Sequence, residues 1–117
     1  MNNREIDRLV AEKVMGWTHL PNQAEFWYPP GVHPLSNIYG HTVPSYSTSI
    51  SDAWLVVERM REMGYNFHAS VSAEGSKVAA TFLASNDPLP VSRWTLDSMP
   101  MSICLAALRS LGVEVSA

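Results

Sequence analysis

A small antiparallel α+β sandwich, with about three helices covering the faces of a sheet, is the fold this sequence predicts. Three observations predict it. Apolar residues recur at helical spacing near both ends and in the middle of the chain, a period of two follows the middle helix, and no repeat or linker interrupts the order. At 117 residues the chain has the length of one domain, residues 1–117, with enough surface to bury one core.

The first helix is expected over Asn3 to Met15. Ile6, Leu9, Val10 and Val14 form its apolar stripe, and Arg4, Glu5, Asp7, Arg8, Glu12 and Lys13 fill the rest of the wheel. Asn2 or Asn3 can accept hydrogen bonds from the first-turn N–H groups, and Gly16 can adopt the left-handed conformation that ends a helix. Residues 17 to 48 hold five of the eight prolines and three of the four histidines, with almost no charge, so no helix runs through them. Glu25 to Tyr28 has strand-forming side chains and stops at Pro29-Pro30-Gly31, and Ser36 to Val43 is a candidate second short strand around Tyr39. The remainder is a long aromatic loop.

The second helix is expected from Ile50 to Met63, with Ile50, Ala53, Trp54, Val57 and Met60 as its buried stripe and Gly64 closing it. Ser49 with Asp52 three residues later is close to a capping box, Asp standing in for Glu or Gln. Tyr65, Phe67, Ala69 and Val71 then alternate with polar residues as a half-exposed strand. Ser72 to Ser76 makes a hairpin loop, and Lys77 to Ala84 returns. Arg93-Trp94 falls in a proline-bounded stretch and can form a short strand. The third helix starts near Ser98, with Pro100 in its first turn, and runs through Ile103, Cys104, Ala107, Leu108 and Leu111 to Gly112.

Composition narrows function by exclusion. Eight Lys and Arg against eleven Asp and Glu give a formal charge of -3 without a basic run, so duplex nucleic acid is not an expected partner. No apolar stretch approaches a membrane span and the first twenty residues lack a signal-peptide core, which leads us to expect no membrane partner and a place in the cytoplasm. A single cysteine, Cys104, excludes an internal disulfide and a cysteine-rich metal site. His19, His33, His41 and His68 offer no pair at i, i+4, so no metal and no cofactor are expected. Cys104 sits on the apolar stripe of a helix, where a thiol behaves as a small hydrophobe. Four Trp, four Tyr, three Phe and six Met exceed what one small core readily hides, which predicts a homo-oligomer.

Three blocks carry a resemblance: Glu5 to Trp17, Pro44 to Glu58, and Met101 to Val113. The most distinctive runs in them are Tyr46-Ser47-Thr48, Ala53-Trp54 with Val57-Glu58 behind it, and Ile103-Cys104-Leu105-Ala106-Ala107-Leu108. Together the blocks cover about a third of the chain and resemble the phage ABA sandwich domain, a family of small proteins from phages and prophages, mostly of Firmicutes. The resemblance implies an alpha-beta-alpha sandwich. Members often carry an acid after Ser-Thr where this chain has Ser49, so a role for that acid does not carry over. Residues 18 to 43 align with nothing in it. The family implies no general biochemical function, but small phage proteins include oligomeric sponges for nucleotide signals of bacterial defence, cyclic ADP-ribose isomers or cyclic oligonucleotides, an analogy of size and context.

The residues themselves offer one anion site. Ser47, Thr48 and Ser49 stand at a helix start, where hydroxyls and unpaired N–H groups meet the positive end of the helix dipole; plain N-capping explains the same serines. Trp27, Tyr28, Tyr39 and Tyr46 can stack on a base, cap the sheet or bury an interface, His41 lies in the same loop, and Arg93 can pair a phosphate or stay solvated. The leading expectation is therefore a non-catalytic sponge in the host cytoplasm for a small phosphorylated, nucleotide-like ligand, held by Trp27, Tyr39, His41, Tyr46, Ser47, Thr48, Ser49 and Arg93. An adaptor that grips another protein through the aromatic loop is the alternative. A metal-independent cyclic-nucleotide hydrolase is a third, with only His33 or His41 as its base.

Overall fold

The computed structural model describes residues 2–19, 27–30, 42–72, 77–84, 92–96 and 98–113, with only the backbone described for 92–96. Among these residues, three helices and two small antiparallel sheets make up an α+β fold, as the sequence predicts. Helix α1 spans Asn3–Lys13; Asn2 accepts from the Glu5 N–H and the Glu5 carboxylate accepts from the Asn2 N–H, a closed capping box. Gly16 follows with φ of 79°, the left-handed conformation that lets the chain leave the helix.

The first sheet departs from expectation. Strand β1 (Thr18–His19) pairs with β2 (Trp27–Tyr28), Thr18 opposite Tyr28 and His19 opposite Trp27. The partner of the Trp27-Tyr28 strand is thus the segment just behind α1. Most of the Ser36 to Val43 candidate lies outside the described residues; within it, Thr42 and Val43 are in neither helix nor strand.

Helix α2 spans Ile50–Glu62, with Ser49 as its N-cap. Strands β3 (Tyr65–Val71), β4 (Val78–Ala84) and β5 (Ser92–Leu96) form the second sheet in the order β3-β4-β5, and Phe67 faces Phe82 across the first pair. Helix α3 (Met99–Ser110) is capped by Ser98. It lies at the centre: α1 and α2 flank it and β4 and β5 pack against it, while α2 also covers β3. Ser102 to Leu108 are all buried, more than the one stripe read from sequence, because a helix with neighbours all round hides its whole girth. The core joins Ile6, Val10 and Val14 of α1, Val56, Val57 and Met60 of α2, Ala80 and Phe82 of β4, and Ile103 to Leu108.

One correction concerns α2. Ala53, Val56, Val57 and Met60 form its buried stripe, whereas Ile50 and Trp54, expected inside, are 53% and 47% exposed. At about 100° per residue, Ile50, Trp54 and Arg61 fall within roughly 40° of one another on the flank beside β3. Periodicity alone admits both orientations of this stripe. The small Ala53 and the branched Val56 go inward, and the indole takes the margin, one edge against Phe67 at 6.0 Å between centroids.

Candidate functional site

The loop leading into the serine-rich start of α2 is clamped to α1 and to the first turn of α2. Asp7, on α1 and 1% exposed, accepts from the Ser47 N–H at 2.8 Å and pairs with the Arg4 guanidinium at 2.9 Å. Arg4 also donates to the Val43 carbonyl at 3.0 Å, and the Ser47 hydroxyl donates to the Asn3 carbonyl at 3.2 Å. Ser49 accepts from the Asp52 N–H at 3.4 Å, as a cap should. The Asp52 carboxylate accepts from the Ser45 N–H at 3.0 Å, so the loop is tied one turn further out than in a closed capping box. Two carboxylates thus stand where the phosphate was expected, and like charges repel there.

Of the expected ligand residues, Tyr46, Ser47, Thr48 and Ser49 lie together by sequence, but Tyr46 and Ser47 are buried and only Thr48 is exposed. Burial pushes the Tyr46 phenol up to about 12; a hydrogen bond with the Trp17 side chain works the other way. Trp27 is buried in the other sheet, with the His19 ring stacked on it at 4.4 Å. Arg93 sits inside β5, opposite Thr81 in the ladder. Tyr39 and His41 lie outside the described residues. Cys104 is fully buried, and desolvation raises its thiol pKa well above the ordinary range. Among the described residues there is no cluster of three His, Cys, Asp or Glu fit to hold a metal ion, and no helix long and apolar enough to cross a membrane.

Different residues gather on the other flank of α2. A cleft of about 460 Å³ is lined by Trp54, Val57 and Arg61 from the helix and by Asn66, Phe67 and His68 from β3. Half of the Trp54 indole is open, and the Arg61 guanidinium has no ion pair or hydrogen bond among the described residues. The strand adds backbone groups. Ser72 donates to the Lys77 carbonyl at 2.8 Å, in register with the β3–β4 ladder, so by alternation Asn66, His68 and Ser70 are the hydrogen-bonded positions. The N–H and C=O of Phe67 and Ala69 therefore point to the sheet edge, where no described strand pairs with them. A half-open ring, a planar cation and a strand edge can hold a flat, polar, anionic molecule. The sequence signal was present: Trp54 is followed by Glu58 at i+4 and Arg61 at i+7, polar company for an apolar ring.

The family model of the phage ABA sandwich domain matches residues 8–108. A search of curated proteins gives no significant match. Among solved structures, a phage protein from Bacillus cereus ATCC 14579 is similar in fold, with a TM-score of 0.71 and 24% identity over 94% of this chain and 92% of that one.

Proposed function

This chain belongs to the phage ABA sandwich domain family, and within that family we propose that it binds and sequesters a small phosphorylated, nucleotide-derived signal of bacterial immunity without catalysis. The observation that carries this reading is the half-exposed Trp54 ring sharing one cleft with Arg61, whose guanidinium has no partner among the described residues. A planar ring offers stacking area at little entropic expense, and a guanidinium grips phosphate oxygens in pairs. The ligand site so proposed is the α2–β3 cleft and not the start of α2, where Asp7 and Asp52 already hold the N–H groups of Ser47 and Ser45. Thr48 is not among the described residues that line this cleft.

Sequestration works best with several sites per particle, and Ile50, Leu55 and Val71, exposed by 53%, 43% and 62%, provide apolar surface for self-association in the host cytoplasm. The test is to incubate the protein with cyclic ADP-ribose isomers and cyclic di- and trinucleotides, remove unbound ligand, heat, and identify what is released. Release of the intact compound is the expected result. A cleaved product makes the protein a hydrolase, and absence of uptake makes the exposed apolar flank a protein-docking surface, the adaptor reading.

A further inference from the structure

Arg61 and Asn66 wall two hollows at once. Beyond the Trp54 cleft lies a second hollow of about 590 Å³, lined by Glu58, Arg61, Glu62, Gly64, Tyr65 and Asn66. The chemistry changes across the shared wall. On the Trp54 side are two aromatic rings, Trp54 and Phe67; on the far side are the two glutamates, Glu58 and Glu62. Glu62 is tied to Arg59 at 3.3 Å, whereas the Glu58 carboxylate has no ion pair or hydrogen bond among the described residues.

Resting on the sequestration reading, we propose that the two hollows are one elongated site for a nucleotide whose negative charge is gathered in one place and whose far end is a neutral polyhydroxylated group, such as a second ribose. A base fits against Trp54. Phosphate oxygens fit the fork of Arg61, the cation that lines both hollows. The carboxylates are acceptors only, so beyond Arg61 they take hydrogen bonds from sugar hydroxyls, the pairing an acidic residue makes with a ribose. The same carboxylates repel a second phosphate. Glu58, whose charge no ion pair among the described residues offsets, thus selects against a cyclic oligonucleotide, which carries a second phosphate, and in favour of a nucleotide with a sugar beyond its pyrophosphate.

Three probes titrated calorimetrically into the whole protein test this: AMP, ADP-ribose and cyclic di-AMP. ADP-ribose is expected to bind at least about 10-fold more tightly than AMP, one well-made set of hydroxyl contacts, and cyclic di-AMP more weakly than either. Glu58→Gln, a conservative change at an exposed position, should shrink the ADP-ribose to AMP ratio and strengthen cyclic di-AMP binding, with melting temperature reporting that the fold is kept. Equal affinities for AMP and ADP-ribose, or cyclic di-AMP binding tightest, overturn the extended site while leaving sequestration standing. If none of the three binds, the extended site falls, and sequestration is decided separately by the panel of cyclic ADP-ribose isomers and cyclic trinucleotides.

Discussion

Removing the Asp7 carboxylate is the sharpest test of how the chain organises the start of α2. In Asp7→Ala the Ser47 N–H, buried and bonded at 2.8 Å, loses its acceptor, and an unsatisfied buried donor costs about 1–3 kcal/mol. Arg4 loses its partner as well; its side chain is 42% exposed and turns to water, which adds less than about 1 kcal/mol. The sum is about 3 kcal/mol, and for a domain of this size each kcal/mol moves the melting point by about 4 °C, so a fall of about 12 °C is expected in a calorimetric melt. Asp7→Asn keeps an oxygen for Ser47 but not the charge for Arg4, and should recover more than half of the loss. Hydrogen exchange at the Ser47 amide should speed up in the alanine variant. A melt of Asp7→Ala within about 3 °C of the parent, or an asparagine variant no better than alanine, would refute the clamp.

Three further outcomes follow from burial. Trp54→Ala should lower stability by about 2 kcal/mol, roughly half the 3–5 kcal/mol of a fully buried aromatic, because the ring is 47% exposed; urea unfolding measures it, and a loss above about 4 kcal/mol returns Trp54 to the core. Burial holds the Tyr46 phenol at about 12 in the fold against 10.0 for the ordinary group. The unfolded chain therefore releases this proton first, the stabilisation present below pH 10 is lost as pH rises towards 12, and Tyr46→Phe should flatten that part of the stability curve. Cys104, buried and with its thiol pKa raised, should resist a thiol reagent at pH 8 in the native protein and react fully in denaturant, since the thiolate is the reactive form.

Helices and hairpin were legible because their ends are chemically marked. Asn2 with Glu5, Ser49 and Ser98 cap the three helices at the expected places, and Gly16, Gly64 and Gly112, all at positive φ, end them. Three features were not legible. The β1–β2 pair is two residues long and has no period to read, so its existence depends on where α1 delivers the chain. Asp7 reads as part of α1's solvent face until the Ser47 N–H, forty residues away in sequence, is brought to it. The same long-range contact explains why the serine cluster resembled an anion site: its donors are real, but their acceptors come from elsewhere in the chain. The α2–β3 cleft was missed for a related reason. The apolar pattern of α2 fixes that one stripe is buried but not whether Trp54 belongs to it, and the placement of Ala53, Val56 and Val57 inward settles the matter.

The central claim is that the Trp54–Arg61 cleft holds a nucleotide-derived signal, and a thermal-shift comparison of the parent with Arg61→Ala across cyclic ADP-ribose isomers, ADP-ribose and cyclic oligonucleotides tests it most directly. Ligand at about 100 times its dissociation constant adds about 2.7 kcal/mol to the folded state, so the parent should melt about 10 °C higher with at least one member of the panel. Arg61→Ala should melt like the unliganded parent with or without that compound, because an exposed arginine adds little to stability. A parent that shows no rise with any compound, or an Arg61→Ala variant that rises as much as the parent, would contradict the claim.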